Sequence, residues 1–218
     1  MWLLCPPGVY RPQHDTLLLA EALQREPLAG DVAVLDLGTG SGALALAAAE
    51  RGAAQVTAVD TSLNAVCTAW INARLHGLRV KVLRGDLTEP VTGSRFGLIM
   101  ANPPYVPSPG SGPPARGRAL AWDAGSDGRA LLDRICSDAP ALLTPSGVLL
   151  LVHSGLCGVE RTLGRLRRAG LRAAVVERRY IPFGPVLRDR SAWLEARGLI
   201  APGEEKEELV VIRAERER

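Results

Sequence analysis

Asn102-Pro103-Pro104-Tyr105 is a tetrapeptide whose residue types could hold an amino group. Two consecutive prolines fix φ and remove two backbone donors, so the turn is stiff and presents carbonyl oxygens and the Asn102 side-chain amide as acceptors. An NH2 group donates two hydrogen bonds and needs two acceptors in fixed directions. A Pro-rich exit from a strand can produce the same four letters without chemistry, so the context decides. The apolar run Phe96-Gly97-Leu98-Ile99-Met100-Ala101 directly before it reads as a buried parallel strand. The tetrapeptide then sits at that strand's carboxyl end, where ligands collect in open α/β sheets.

A second constellation lies upstream. Gly38, Gly40 and Gly42 fill a turn between an apolar strand, Val32 to Leu37, and an Ala-rich helix, Ala43 to Arg51. Glycines bring backbone N–H groups close to a ligand with no Cβ in the way. Gly38, Gly40 and Ala43 satisfy a dinucleotide spacing, so the glycines alone do not separate a nicotinamide cofactor from S-adenosylmethionine. Asp60, ending the next strand from Gln55 to Val59, could accept from the ribose diol of either. Asp36 and Asp86 separate them. A carboxylate at Asp36, just before the first glycine, could hold the ammonium of a methionine moiety but would repel a pyrophosphate. Asp86, after a third strand, could accept from an adenine amino group. Asp36 and Asp60 could instead cap the helices that follow, and Asp86 could be a turn residue. Three acids at successive strand ends are harder to explain that way.

The elements that must position these residues alternate along the chain. A helix is predicted over 13–25, where Leu17, Leu18, Leu19, Ala22 and Leu23 recur at helical spacing. A helix from Leu63 to His76 stops at Gly77, and Arg79 to Arg84 is a short strand. After the tetrapeptide a loop rich in Pro and Gly runs to about Gly125. Ala130 to Leu143 reads as a helix with a break at Pro140, and Val148 to Val152 as a strand buried on both faces. A helix over Val159–Ala169 and strands over Leu171–Glu177 and Glu208–Ile212 complete the pattern. The expected fold is α/β, a Rossmann-like, seven-stranded and mostly parallel sheet with helices on both faces and one late antiparallel strand. Residues 1–218 read as one domain with a leading helical segment over about 1–30 and an insertion over about 178–203.

The 26 basic and 23 acidic residues leave a net charge of only +3, which allows an acidic partner without demanding one. Cys5, Cys67, Cys136 and Cys157 form no CxxC pair and have no His at ligand spacing, so no metal site is expected. The N-terminus lacks the features of a signal peptide and no apolar run approaches a membrane span, which points to the cytoplasm.

With Asp36-Leu37-Gly38-Thr39-Gly40-Ser41-Gly42, Asp60, Asp86 and Asn102-Pro103-Pro104-Tyr105 in this order, the chain resembles class I S-adenosylmethionine-dependent methyltransferases acting on amino nitrogens. Tyr10-Arg11-Pro12-Gln13-His14-Asp15-Thr16-Leu17-Leu18 and Ala121-Trp122-Asp123-Ala124-Gly125-Ser126-Asp127-Gly128-Arg129 look like the short eukaryotic and archaeal branch of the HemK family, glutamine N5-methyltransferases of release factors. The resemblance spans about 9–177 and the final strand. It implies cofactor contacts from Thr16, Asp36, Gly38, Asp60, Asp86, Leu87 and Asn102, with Gly40 and Gly42 in the same turn. Asn102, Pro103, Pro104 and Tyr105 would hold the target amide. The implied partners are a release-factor-like protein substrate and a small activator subunit against a sheet edge. The charges of Arg79-Val80-Lys81-Val82-Leu83-Arg84 fit an edge that deters pairing. Adenine N6 or guanine N2 methylation of nucleic acid, a small-molecule N-methyltransferase, and an inactive cofactor-binding module are the competing readings.

Overall fold

Apolar runs long enough to be buried on both faces assemble the middle of a seven-stranded sheet, in the order β3-β2-β1-β4-β5-β7-β6. The computed structural model describes residues 1–28, 31–110 and 118–217. The strands are β1 (Ala33–Leu37), β2 (Gln55–Asp60), β3 (Lys81–Arg84), β4 (Phe96–Ala101), β5 (Leu143–Ser154), β6 (Leu171–Pro182) and β7 (Lys206–Arg216). The pairs among β1 to β5 are parallel, and β7 runs antiparallel to both its neighbours. The expected mostly parallel α/β sheet with one late antiparallel strand is the observed one. Residues 29–30 of the leading segment, 111–117 of the Pro/Gly-rich loop and 218 lie outside the described residues.

The helices follow from where apolar residues must be covered. In β5, Leu149 and Leu151 enter one core with Leu132, Ile135, Leu163 and Leu166, from α4 (Ala130–Asp138) and α5 (Val159–Arg168). The alternate residues Val148, Leu150 and Val152 enter the other core, with Leu18, Leu19 and Leu23 of α1 (His14–Leu23) and Leu44, Ala45 and Ala48 of α2 (Ala43–Glu50). Between β2 and β3 runs α3 (Leu63–Leu75), capped by the Ser62 hydroxyl, which accepts from the Ala65 N–H. The break expected at Pro140 is present: α4 ends at Asp138 and a 3-10 turn over Ala139–Leu142 leads into β5.

The segment expected as an insertion from 178 begins at Phe183, because Arg178 to Pro182 continue β6. Those five residues pair with Lys206 to Val210 beyond a register shift at Val175/Glu177, and the charged Arg178 and Arg179 there hide the strand from an apolar search. The connection from 183 to 205 holds two short helices, α6 (Pro185–Asp189) and α7 (Ser191–Ala196). Among the described residues, no helix is long and apolar enough to cross a membrane.

Candidate active site

Strand register brings the motifs together. Leu37 of β1 stands beside Val59 of β2 on one side and Ala101 of β4 on the other. The residues that follow, Gly38, Asp60 and Asn102, therefore leave the sheet side by side. Asp60 in turn pairs with Arg84, so Gly85-Asp86-Leu87 leave one strand further out. Between β1 and β4 the strand order reverses direction, and the cleft at such a switch point is the expected ligand site of a doubly wound sheet.

The glycine turn is built for close approach. A Cβ on Gly42, at φ +87°, would meet Leu46 Cδ1 at 2.9 Å and the Ala69 Cα at 3.2 Å, so this glycine lets α2 and α3 pack. At Gly38, φ +73°, the nearest atom to a Cβ would be the Asn102 carbonyl oxygen at 3.9 Å, so the first glycine faces the acceptor turn. Tyr10 covers Gly40, whose Cβ would stand 3.7 Å from the Tyr10 Cβ.

Asp36 is fully enclosed beneath this turn. Its Oδ2 accepts from the Thr39 hydroxyl at 2.6 Å and the Ala45 N–H at 3.2 Å, while Oδ1 is buried without a partner among the described residues. Burial, opposed by those two bonds and reinforced by Asp60, pushes its pKa up from the ordinary 3.8 to about 6. A cation beside Oδ1 would satisfy the orphaned oxygen. Asp60 accepts the Gly40 N–H at 2.9 Å and the Ser62 N–H at 2.9 Å, so it ties the glycine turn to the start of α3. Burial raises its pKa too. Two carboxyls held from water favour a cationic ligand and disfavour a pyrophosphate. Asp86 is half-exposed and ion-paired with Arg134 at 3.0 Å, a pair of little strength at that exposure. Leu87, buried, sits at φ +48°, a conformation that costs a non-glycine residue about 1 kcal/mol or more. These residues fit an S-adenosylmethionine: a carboxylate oxygen without a partner among the described residues for its ammonium, a glycine turn clear at Gly38, and acids at the next two strand ends.

The acceptor turn is held by a relay that starts on α1. Asp15 Oδ2 accepts from the Tyr10 hydroxyl at 2.8 Å and the Tyr105 hydroxyl at 3.0 Å. Asp15 Oδ1 accepts from the Thr16 backbone N–H at 2.6 Å and the Thr16 hydroxyl at 3.2 Å. With its proton committed to that carboxylate, the Thr16 oxygen receives Asn102 Nδ2–H at 3.2 Å. The Asn102 amide is thereby oriented: one N–H of its NH2 is occupied, and its Oδ1 has no partner among the described residues. Thr16, expected to touch cofactor, has its hydroxyl on Asn102. The Tyr105 ring packs against both cores, and its hydroxyl, held by Asp15 and buried, titrates well above the ordinary 10.

Asp15 belongs to the Tyr10–Leu18 stretch, and its place in the first turn of α1 gives no local sign of a partner 90 residues away. Glu207 carried no signal at all. It is buried at the start of β7 with Oε2 unpartnered among the described residues, and burial, eased by Ser154 and reinforced by Asp15, pushes its pKa to about 7. Arg129, in the Ala121–Arg129 stretch, is buried and structural: it donates to Asp133, the carbonyls of Cys157 and Gly158 and the Thr162 hydroxyl.

Comparison with known proteins bears on the reading. The family model described as the methyltransferase small domain matches residues 2–111. A chain from Methanocaldococcus jannaschii, provisionally named a protein N5-glutamine methyltransferase, is 34% identical over 180 residues, 81% of this chain and 88% of the relative. The release factor glutamine methyltransferase of Geobacter sulfurreducens is 42% identical over 171 residues, 75% of this chain but only 59% of the relative. Among solved structures, a T. thermophilus 16S rRNA N2-guanosine methyltransferase in complex with AdoMet and guanosine aligns with TM-score 0.65 and 26% identity, over 96% of this chain and 46% of that one. The chain belongs to the methyltransferase small-domain family, as a class I, HemK-type enzyme that uses S-adenosylmethionine.

Proposed function

We propose that the chain methylates the N5 side-chain nitrogen of a glutamine in a protein substrate of the release-factor type. The observation that carries this is the orientation of Asn102: with Nδ2 held by Thr16, Oδ1 and the Pro103 carbonyl are left as a pair of acceptors for one NH2 group. A glutamine nitrogen is a poor nucleophile because its lone pair is delocalised into its own carbonyl. Accepting both N–H bonds in a stiff turn aligns that nitrogen and favours its rehybridisation. S-adenosylmethionine, when bound, supplies the sulfonium methyl that the nitrogen attacks. Asp36, Gly38, Gly40, Gly42, Asp60, Asp86 and Leu87 are the residues we assign to holding it. Tyr105, fixed by Asp15, closes the acceptor side against water. The M. jannaschii and G. sulfurreducens relatives, by their names, support glutamine as the acceptor.

We take residues 1–218 to act as one catalytic domain in the cytoplasm, where translation factors are found. A small activator subunit would pair at β3, the edge strand beside α3, where Trp70 and Leu75 are about half exposed. The exposed Lys81 and Arg84 at its two ends still read as guards of that edge, so the chain is expected to act without such pairing.

A nucleobase amino group is the second reading, favoured by the guanosine bound in the T. thermophilus enzyme. Against it, the net charge is only +3, and Arg178 and Arg179, toward the site end of β6, are ion-paired with Glu208 and Glu21. The test is to incubate purified enzyme and radioactive S-adenosylmethionine with a cell extract, then separate protein, RNA and small molecules. Label released from protein as N5-methylglutamine is expected. Label confined to RNA or small molecules overturns the proposal.

A further inference from the structure

We propose that Arg190 is a positioning residue for methyl transfer, acting through Asp123 and Pro107, and that residues 183–205 form the outer wall of the acceptor site. This rests on reading Asn102 to Tyr105 as the acceptor turn. The segment leaves the sheet between β6 and β7, closed at its base by the Phe183 N–H donating to the Glu205 carbonyl at 2.8 Å. Phe183, Leu187, Leu194 and Ile200 form a small buried cluster of their own. Val106, the residue after Tyr105, packs on that cluster. A loop that merely covered the sheet would have no need to meet the acceptor turn at its exit.

The polar contact is more specific. Arg190 Nη1 and Nη2 donate to the two Asp123 oxygens at 2.6 and 3.1 Å, and Nη1 also reaches the Pro107 carbonyl at 2.9 Å. Their side chains are only 20% and 12% exposed, so this bidentate pair is largely shielded from water. Asp123 stands opposite Val106 in an isolated parallel bridge, where the Val106 N–H donates to the Trp122 carbonyl at 2.7 Å and the Ala124 N–H to the Val106 carbonyl at 3.1 Å. One guanidinium therefore clamps both sides of the small ladder that follows Tyr105. From the inner side, the Cys157 thiol donates to the Tyr105 carbonyl at 3.1 Å, and a Cβ on Gly128 would come within 2.2 Å of that oxygen. The exit of the acceptor turn is thus gripped from inside by Cys157 and Gly128 and from outside by Arg190.

The polar contacts of Arg190 are with Asp123 and Pro107 and not with Asn102 to Tyr105, so its effect passes through backbone position. A misplacement of the reacting groups by about 1 Å costs about 100-fold in rate. Lysine cannot reproduce the planar fork that binds Asp123 bidentately.

The experiment measures single-turnover methyl transfer from S-adenosylmethionine to the release factor of the same organism, for wild type, R190A, R190K, D123A, R190A/D123A and N102A. Expected are a rate about 100-fold lower for R190A, no rescue by R190K, and S-adenosylmethionine affinity by calorimetry unchanged in both. R190A/D123A should be no slower than the worse single variant, as for two groups acting as one. If R190A does not fold, R190K and D123N carry the same comparison. With N102A inactive but R190K as fast as wild type, or with additive losses in the double variant, the assignment of Arg190 falls while the acceptor reading stands. Full activity of N102A removes the acceptor reading and this inference with it.

Discussion

Replacing Thr16 by valine keeps the β-branched shape and deletes one buried hydroxyl, which isolates the link between α1 and the acceptor turn. In the native chain that hydroxyl donates to Asp15 and accepts from Asn102, both at 3.2 Å. Without it, Asn102 either keeps its orientation with an unsatisfied, half-buried NH2 or turns over and presents that NH2 to the incoming NH2. Leaving such a donor unpaired costs about 1–3 kcal/mol, and at tenfold per 1.4 kcal/mol this is a loss of about 5- to 150-fold in the transfer rate. Thr16→Ser, which retains the oxygen, should lose about fivefold at most. Single-turnover transfer of a radioactive methyl group gives the rate, and calorimetry with S-adenosylmethionine gives the affinity. A wild-type rate for Thr16→Val would refute the relay. A fall in cofactor affinity matching the fall in rate would refute it differently, by making Thr16 the cofactor contact that the family resemblance implies. Asp15→Asn removes the charge that orients the Thr16 proton and should lower the same rate, with no further loss when combined with Thr16→Val.

Burial pushes the Asp36 pKa up to about 6, so the carboxylate that would hold an ammonium is mostly protonated below that pH and mostly ionised above it. S-adenosylmethionine affinity should rise about fivefold from pH 5 to 6 and about tenfold in all before it levels off by pH 8, and Asp36→Asn should abolish the slope in calorimetry across pH 5 to 8. Glu207 has a pKa raised from 4.5 to about 7, so its contribution to stability is fully present below about pH 4.5 and is lost as pH rises through 7. Glu207→Gln should therefore flatten the urea-unfolding stability of the protein between those limits, with a gain of at most about 3 kcal/mol at pH 8; an unchanged pH dependence would contradict the burial assigned to this carboxyl. Arg129→Met should cost about 1–3 kcal/mol in the same unfolding measurement, because the Cys157 carbonyl and the Thr162 hydroxyl lose a buried donor while Asp133 keeps Arg161 and Arg165.

What could be read from the chain, and what could not, separates by the length scale of the interaction. Leu98 to Ala101 and Val148 to Val152 were visible as strands because burial on both faces leaves uninterrupted apolar runs. The glycine turn and Asp60 were visible because their roles are set within a few residues of a strand end. The tail of β6 was not, since Arg178 and Arg179 occupy a strand whose outward row is solvated and whose partner row is supplied by β7. Asp15 lies 90 residues from Tyr105, and Arg190 lies 67 from Asp123. Such pairs are chosen by the strand order and by the docking of α1 and the 183–205 segment, neither of which leaves a local pattern. The acceptor tetrapeptide shows this most sharply. On the proposed reading its prolines and carbonyls make a place for an NH2 group, yet Asn102 could offer either end of its amide there. Thr16 and Asp15, brought from another helix, occupy the NH2 end and leave the oxygen for the proposed substrate, so the chemistry we propose for the motif is completed by residues outside it.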